Sequence, residues 1–135
     1  MSIVEKIKTI PNLYHLSGCS TAQIKNAQQE LDLVFPDEFI DYVKAFGAIS
    51  FFGTEWTGLN VEGYLNVVEA TKDEQKYSND FPQGCFVLEN LGIEGVLTIV
   101  DNTGKVYSYR SGTQPVFICD SISDYLDICI QRKNN

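Results

Sequence analysis

The 135-residue sequence has one histidine, one tryptophan, one methionine and four prolines. It contains no apolar run near the ~18 residues that a membrane helix needs. A lone histidine, His15, in a stretch that reads as a loop, limits Ser-His and Cys-His catalytic schemes. The G-x-S-x-G elbow, the P-loop and the Rossmann glycine fingerprint are all missing. The four cysteines, Cys19, Cys85, Cys119 and Cys129, form no C-x-x-C pair, and with a single histidine they give no zinc-ligand spacing. They read as free thiols. No catalytic residue, metal or cofactor is therefore expected, and the chain reads as a non-enzyme. Nor does basic charge predominate: the formal charge is -8.

That charge is uneven. Residues 51–100 carry two Lys against eight Asp and Glu, whereas residues 101–135 balance. Such a field repels phosphate backbones, so direct nucleic-acid binding is not expected and a basic protein partner is. The first residues, Met1-Ser2-Ile3-Val4-Glu5-Lys6, carry an acid where an export signal has its basic region, and no apolar stretch follows. A cytoplasmic protein with no membrane contact is expected.

The length suits one domain with a single core. Ser2-x-x-Glu5 and Ser20-x-x-Gln23 are capping-box signatures, each ahead of apolar residues at helical spacing: Ile3, Ile7 and Ile10, then Ile24, Ala27 and Leu31. Pro11 ends the first helix, and residues 12–19 read as a loop. Pro36-Asp37-Glu38 opens a helix whose stripe is Phe39, Tyr42, Val43 and Phe46, with Gly47 as its C-terminal cap. Strands are expected at Ile49–Phe52, Leu59–Leu65, Cys85–Leu91, Gly95–Val100, Lys105–Tyr109 and Val116–Cys119. A helix begins at Asn66, and another is capped by Ser121 or Ser123. Asp101-Asn102-Thr103-Gly104 is a hairpin turn. This order predicts an α+β fold, with helices on one face of a mostly antiparallel sheet. Val96, Ile99, Val106, Leu126, Ile130, Phe51, Phe86 and Phe117 are expected to join the core.

Trp56 reads as part of a loop between Gly53 and Gly58. It either folds onto the core or anchors a partner. The expected partner-binding set is Glu55, Trp56, Glu62, Glu89 and Glu94, drawn from the acidic middle of the chain.

The stretch Leu33-Val34-Phe35-Pro36-Asp37-Glu38-Phe39-x-x-Tyr42-Val43-x-x-Phe46-Gly47 resembles the hallmark of the SUKH superfamily. Ile24-x-x-Ala27-x-x-x-Leu31 before it is similar to that family's first helix. Gly95-Val96-Leu97-x-x-x-Asp101 with Gly104-x-Val106-Tyr107 resembles its central hairpin, and Ser121 to Leu126 its closing helix. The chain departs from the pattern at Ala48-Ile49-Ser50, where more glycine is usual, and at Ile122, where Phe is. The resemblance covers residues 20–131 and leaves 1–19 as an N-terminal helix and loop. It implies a single SUKH-like domain with no catalytic residue. It also implies an immunity protein that binds and neutralises a cognate bacterial toxin encoded beside it, many such toxins being nucleases. Eukaryotic relatives imply an alternative role, a regulatory or scaffold module for an endogenous protein.

Overall fold

The computed structural model describes residues 1–132. Five helices and two antiparallel sheets follow one another as α1 (Ile3–Lys8), β1 (Tyr14–His15), α2 (Thr21–Leu31), α3 (Asp37–Phe46), β2 (Ile49–Phe51), β3 (Thr54–Trp56), a 3₁₀ turn (Gly63–Leu65), α4 (Val67–Tyr77), β4 (Phe86–Asn90), β5 (Leu97–Val100), β6 (Val106–Tyr109), β7 (Val116–Cys119) and α5 (Ile122–Arg132). The sheets run β1-β2-β3 and β4-β5-β6-β7, and every strand pairing is antiparallel. The α+β expectation holds, with the strands divided between two sheets. The sheets abut where the Thr57 N–H donates to the Leu88 carbonyl at 2.8 Å.

Local chemistry explains the helix starts. Both capping boxes form, Ser2 with Glu5 and Ser20 with Gln23, and satisfy amides that would otherwise lack partners. Asn66 accepts from the N–H groups of Val68 and Glu69, and Ser121 Oγ accepts from Asp124. At the end of α3 the chain reverses through a γ-turn centred on Gly47 (φ 71°, ψ -71°), closed by Ala48 N–H to Phe46 O at 2.8 Å. Tyr42, fully buried, fixes α3 to the small sheet: its hydroxyl donates to Thr57 O at 2.8 Å and accepts from Ile49 N–H at 3.2 Å.

The four-stranded sheet separates two apolar clusters. Phe86, Leu88, Val100 and Val106 face the main core with Phe35, Phe39, Tyr42 and Val43, Trp56 of β3, and Tyr125, Leu126 and Cys129 of α5. On the opposite face, Phe81, Cys85, Val87, Leu97, Ile99 and Tyr109 make a smaller cluster. α1 packs on α3 and α5, and α2 packs on α4.

Several expectations change. Leu59–Leu65 forms no strand. Its apolar residues are spaced two apart, but the segment bends into the 3₁₀ turn. β1 arises inside the expected 12–19 loop, pairing Tyr14 with Ser50 and His15 with Ile49. Phe117 is half exposed because β7 is an edge strand with an open face. Val96 and Ile130 are only partly buried.

Phe52 and Gly53 form the two-residue turn joining β2 to β3, with φ of 47° and 82°. A turn with positive φ at both positions favours Asn-Gly, and a bulky residue at the first position is strained by about 1–3 kcal/mol. Phe52→Asn relieves that strain at the cost of side-chain interactions that include the edge-on contact with the Phe51 ring. We expect a net gain of about 0.5–1 kcal/mol. Urea unfolding should show a higher midpoint at unchanged slope; a lower midpoint would contradict the assigned turn.

Candidate interaction surface

Three hollows meet around the 3₁₀ turn. The first, about 660 Å³, lies between α2 and α4 and is lined by Glu30, Glu62 and Glu69 among the amide side chains of Gln23, Asn26, Asn60 and Asn66. The second, about 160 Å³, is lined by Glu55, Asp73 and Glu74 with Tyr64 and Leu65. The third, about 330 Å³, is mainly apolar and lies against β1 and β2, with Glu55 at its side. Val61 is shared by the first and third, and Glu55 and Leu65 by the second and third. Six carboxylates thus line one continuous face, and no lysine or arginine lines any of the three hollows.

The local sequence accounts for this gathering. Glu69 and Asp73 are four apart on α4 and share a helical side. The Glu69 carboxylate accepts from the Gly63 N–H at 3.0 Å, which holds the 3₁₀ turn against the start of α4. Glu55 stands opposite Ser50 in the small sheet, and Ser50 opposite Tyr14, so a row crosses the outer side of all three strands. The Tyr64 hydroxyl donates to Glu55 at 3.1 Å, and that hydrogen bond and the Glu55 charge raise the phenol's pKa. Burial, then the neighbouring Asp73 charge, raise the pKa of Glu74.

Of the expected partner-binding set, Glu55 and Glu62 come together on this face, Glu55 half-buried and Glu62 exposed. Glu94 is exposed in the β4–β5 turn, 3.7 Å from Arg110, and lines none of the three hollows. Trp56 and Glu89 require correction. Trp56 is 0% exposed, stacked on Tyr125 and edge-on to Tyr42, so it is a core residue with no surface to offer a partner. Among the described residues its indole N–H finds no nitrogen or oxygen acceptor, and its polar interaction is with the Cys129 thiol. Glu89 is 3% exposed and bound to Arg132 and Tyr125. The register shift between Val87 and Glu89 is the cause: a bulge carries Glu89 to the side facing α5.

Glu30, Glu69, Asp73, Glu74 and the exposed Tyr14, Leu16 and Tyr64 were outside the expected set. The i,i+4 spacing of Glu69 and Asp73 was a usable signal. Glu30, Tyr14 and Leu16 reach the face only through tertiary packing.

All four cysteines are free. Burial pushes the Cys85 thiol up to about 11 and the Cys129 thiol up to about 12, so both stay protonated at neutral pH. Among the described residues no cluster of three or more His, Cys, Asp or Glu is arranged to hold a metal ion, and no helix is long and apolar enough to cross a membrane. This face offers hydrogen-bond acceptors and negative charge beside an apolar hollow. A family model of the SUKH group, SUKH_5, described as SMI1-KNR4 cell-wall, matches residues 1–131 and so takes in α1 and the loop after it. No curated protein matches the chain.

Proposed function

The chain belongs to the SUKH family described as SMI1-KNR4 cell-wall, and from that membership we propose that it is a cytoplasmic immunity protein that neutralises a toxin by binding it. The supporting observation is the face of six carboxylates with no lysine or arginine lining its hollows. Toxins that act on nucleic acids need basic surfaces to hold phosphates, and a negative face of this kind masks such a surface without chemistry of its own. It also speeds encounter by electrostatic steering, which matters to an inhibitor that must outrun a toxin. The word cell-wall in the family description favours one further reading, a regulatory module that holds an endogenous protein.

Co-expression with the product of the adjacent gene tests the first reading. The two proteins should co-purify, and the cell should survive. Glu30→Lys with Glu62→Lys should slow association about tenfold in low salt and much less in high salt, because exposed charges are screened beyond a Debye length. An adjacent product that neither co-purifies nor is neutralised would reject this reading and leave the regulatory one.

A further inference from the structure

We infer that the apolar hollow beside β1 is a socket for one large apolar side chain of a basic protein segment, flanked there by lysine or arginine. This rests on the reading of the acidic face as a protein interface and names what that interface grips. The socket is formed by Leu16, Ile49, Val61 and Leu65, with Tyr14 and Glu55 among its lining residues. Tyr14 is 80% exposed, Leu16 40% and the neighbouring Tyr64 70%. Leaving that much apolar surface in water forgoes burial worth ~25 cal/mol per Å², and a partner's side chain recovers it. The volume, about 330 Å³, suits a single large side chain better than a helix.

Charge selects the occupant. Glu55 lines the socket, and Val61 separates it from the groove that holds Glu30, Glu62 and Glu69. A side chain seated in the socket therefore brings its chain neighbours against carboxylates on two sides. Anionic lipid headgroups and nucleic-acid phosphates are repelled there, and so is the same face of a second copy. A basic segment is attracted. The tryptophan expected to act as an anchor is buried in this chain. The anchor comes from the partner, and this chain supplies the hole.

The test uses two synthetic seven-residue peptides, each with three lysines on either side of a central residue, tryptophan in one and serine in the other. Titrated into the ¹⁵N-labelled full chain in low salt, the tryptophan peptide should shift the amides of Leu16, Ser50, Val61 and Leu65. It should bind about tenfold more tightly than the serine peptide, the worth of burying part of a large side chain. Leu16→Ser and Tyr14→Ser, both at exposed positions, should keep the fold by circular dichroism and bring the tryptophan peptide down to the serine peptide's affinity. Equal binding of the two peptides, or shifts centred elsewhere, would overturn the socket. So would a dimer in sedimentation that Leu16→Ser dissolves. The adjacent gene's product separates the two claims. If it binds the parent and Leu16→Ser equally, the socket is wrong and the immunity reading stands. If it does not bind at all while the tryptophan peptide seats as described, the socket stands and the toxin reading falls.

Discussion

Gly58→Ala is expected to destabilise the protein by about 4 kcal/mol or more, a large share of the stability of an ordinary domain. A Cβ at this position would lie 1.6 Å from the Gly47 carbonyl oxygen, 2.7 Å from its carbon and 3.1 Å from the Ala48 Cα. All three are backbone atoms, so no side chain can swing aside. Nor can the two strands of backbone separate cheaply. Leu59 N–H donates to Gly47 O at 3.0 Å, Gly58 N–H to Leu65 O at 2.8 Å and Val67 N–H to Gly58 O at 2.9 Å. Moving Gly58 therefore breaks the junction that joins the end of α3 to the start of α4, and with it the base of the acidic face. Gly84→Ala is the control. It has open space around it and a φ of 77°, so it should lose only about 1 kcal/mol of stability, through backbone strain. Chemical unfolding of the two variants should differ several-fold in their loss of stability. A Gly58→Ala protein as stable as Gly84→Ala would show that the two backbones do not touch as described.

Arg132→Met should destabilise the fold by about 3 kcal/mol, at the low end for a broken buried pair because the guanidinium is itself partly in water. Arg132 donates from Nη1 to Glu89 Oε2 at 2.9 Å and from Nη2 to the Tyr125 hydroxyl at 2.6 Å. The Tyr125 hydroxyl donates in turn to Glu89 Oε1 at 2.5 Å and shares a hydrogen bond with Thr98 at 2.7 Å. The asymmetry lies in exposure: the Glu89 side chain is 3% exposed and that of Arg132 35%. Removing the arginine strands a carboxylate in the core, whereas removing the carboxylate's charge leaves an arginine that reaches solvent. Glu89→Gln should accordingly cost less, about 1–2 kcal/mol. With Glu89→Gln already present, Arg132→Met should cost well under 3 kcal/mol. Additive losses in the double variant would mean that the two residues act independently, against the geometry.

How far the sequence foretold this structure depends on the range of the signal. The capping boxes at Ser2 and Ser20, the Pro36 helix start, the Asp101–Gly104 turn and the closing helix are written in four or five consecutive residues, and all are found. Features that depend on distant chain were hidden. β1 is two residues long and exists because β2 offers it a partner. Trp56 sat between glycines that read as a loop, yet Gly53 serves a hairpin turn and Gly58 a backbone contact with Gly47. Glu89 was expected at the surface as one of the acids in the middle of the chain, and a bulge turns it inward. Glu55 and Glu62 were legible on the candidate surface because charge density is a property of composition. The socket was not, since Leu16 and Val61 are 45 positions apart and the alternation around Val61 read as a strand rather than as the wall of a hollow.

The division of the interior into two clusters has a consequence for how the molecule breathes. The smaller cluster has six buried members and is closed by residues 78–84, which are pinned where Asp80 accepts from the hydroxyls of Ser78 and Tyr109 and from the Gly112 amide. Opening it exposes far less apolar surface than opening the main core, so it should unlatch at a fraction of the global unfolding free energy. Amides around this loop should then exchange with solvent by local excursions, while those of α3 and β2 wait for the whole chain to unfold. The first and third hollows of the acidic face are braced by α3, β2 and the Gly47–Gly58 junction, the part expected to exchange slowly. The second hollow, lined by Val87 and Leu97 of the smaller cluster, should instead share that cluster's local opening, so one end of the acidic face is held in a preformed shape while the other loosens.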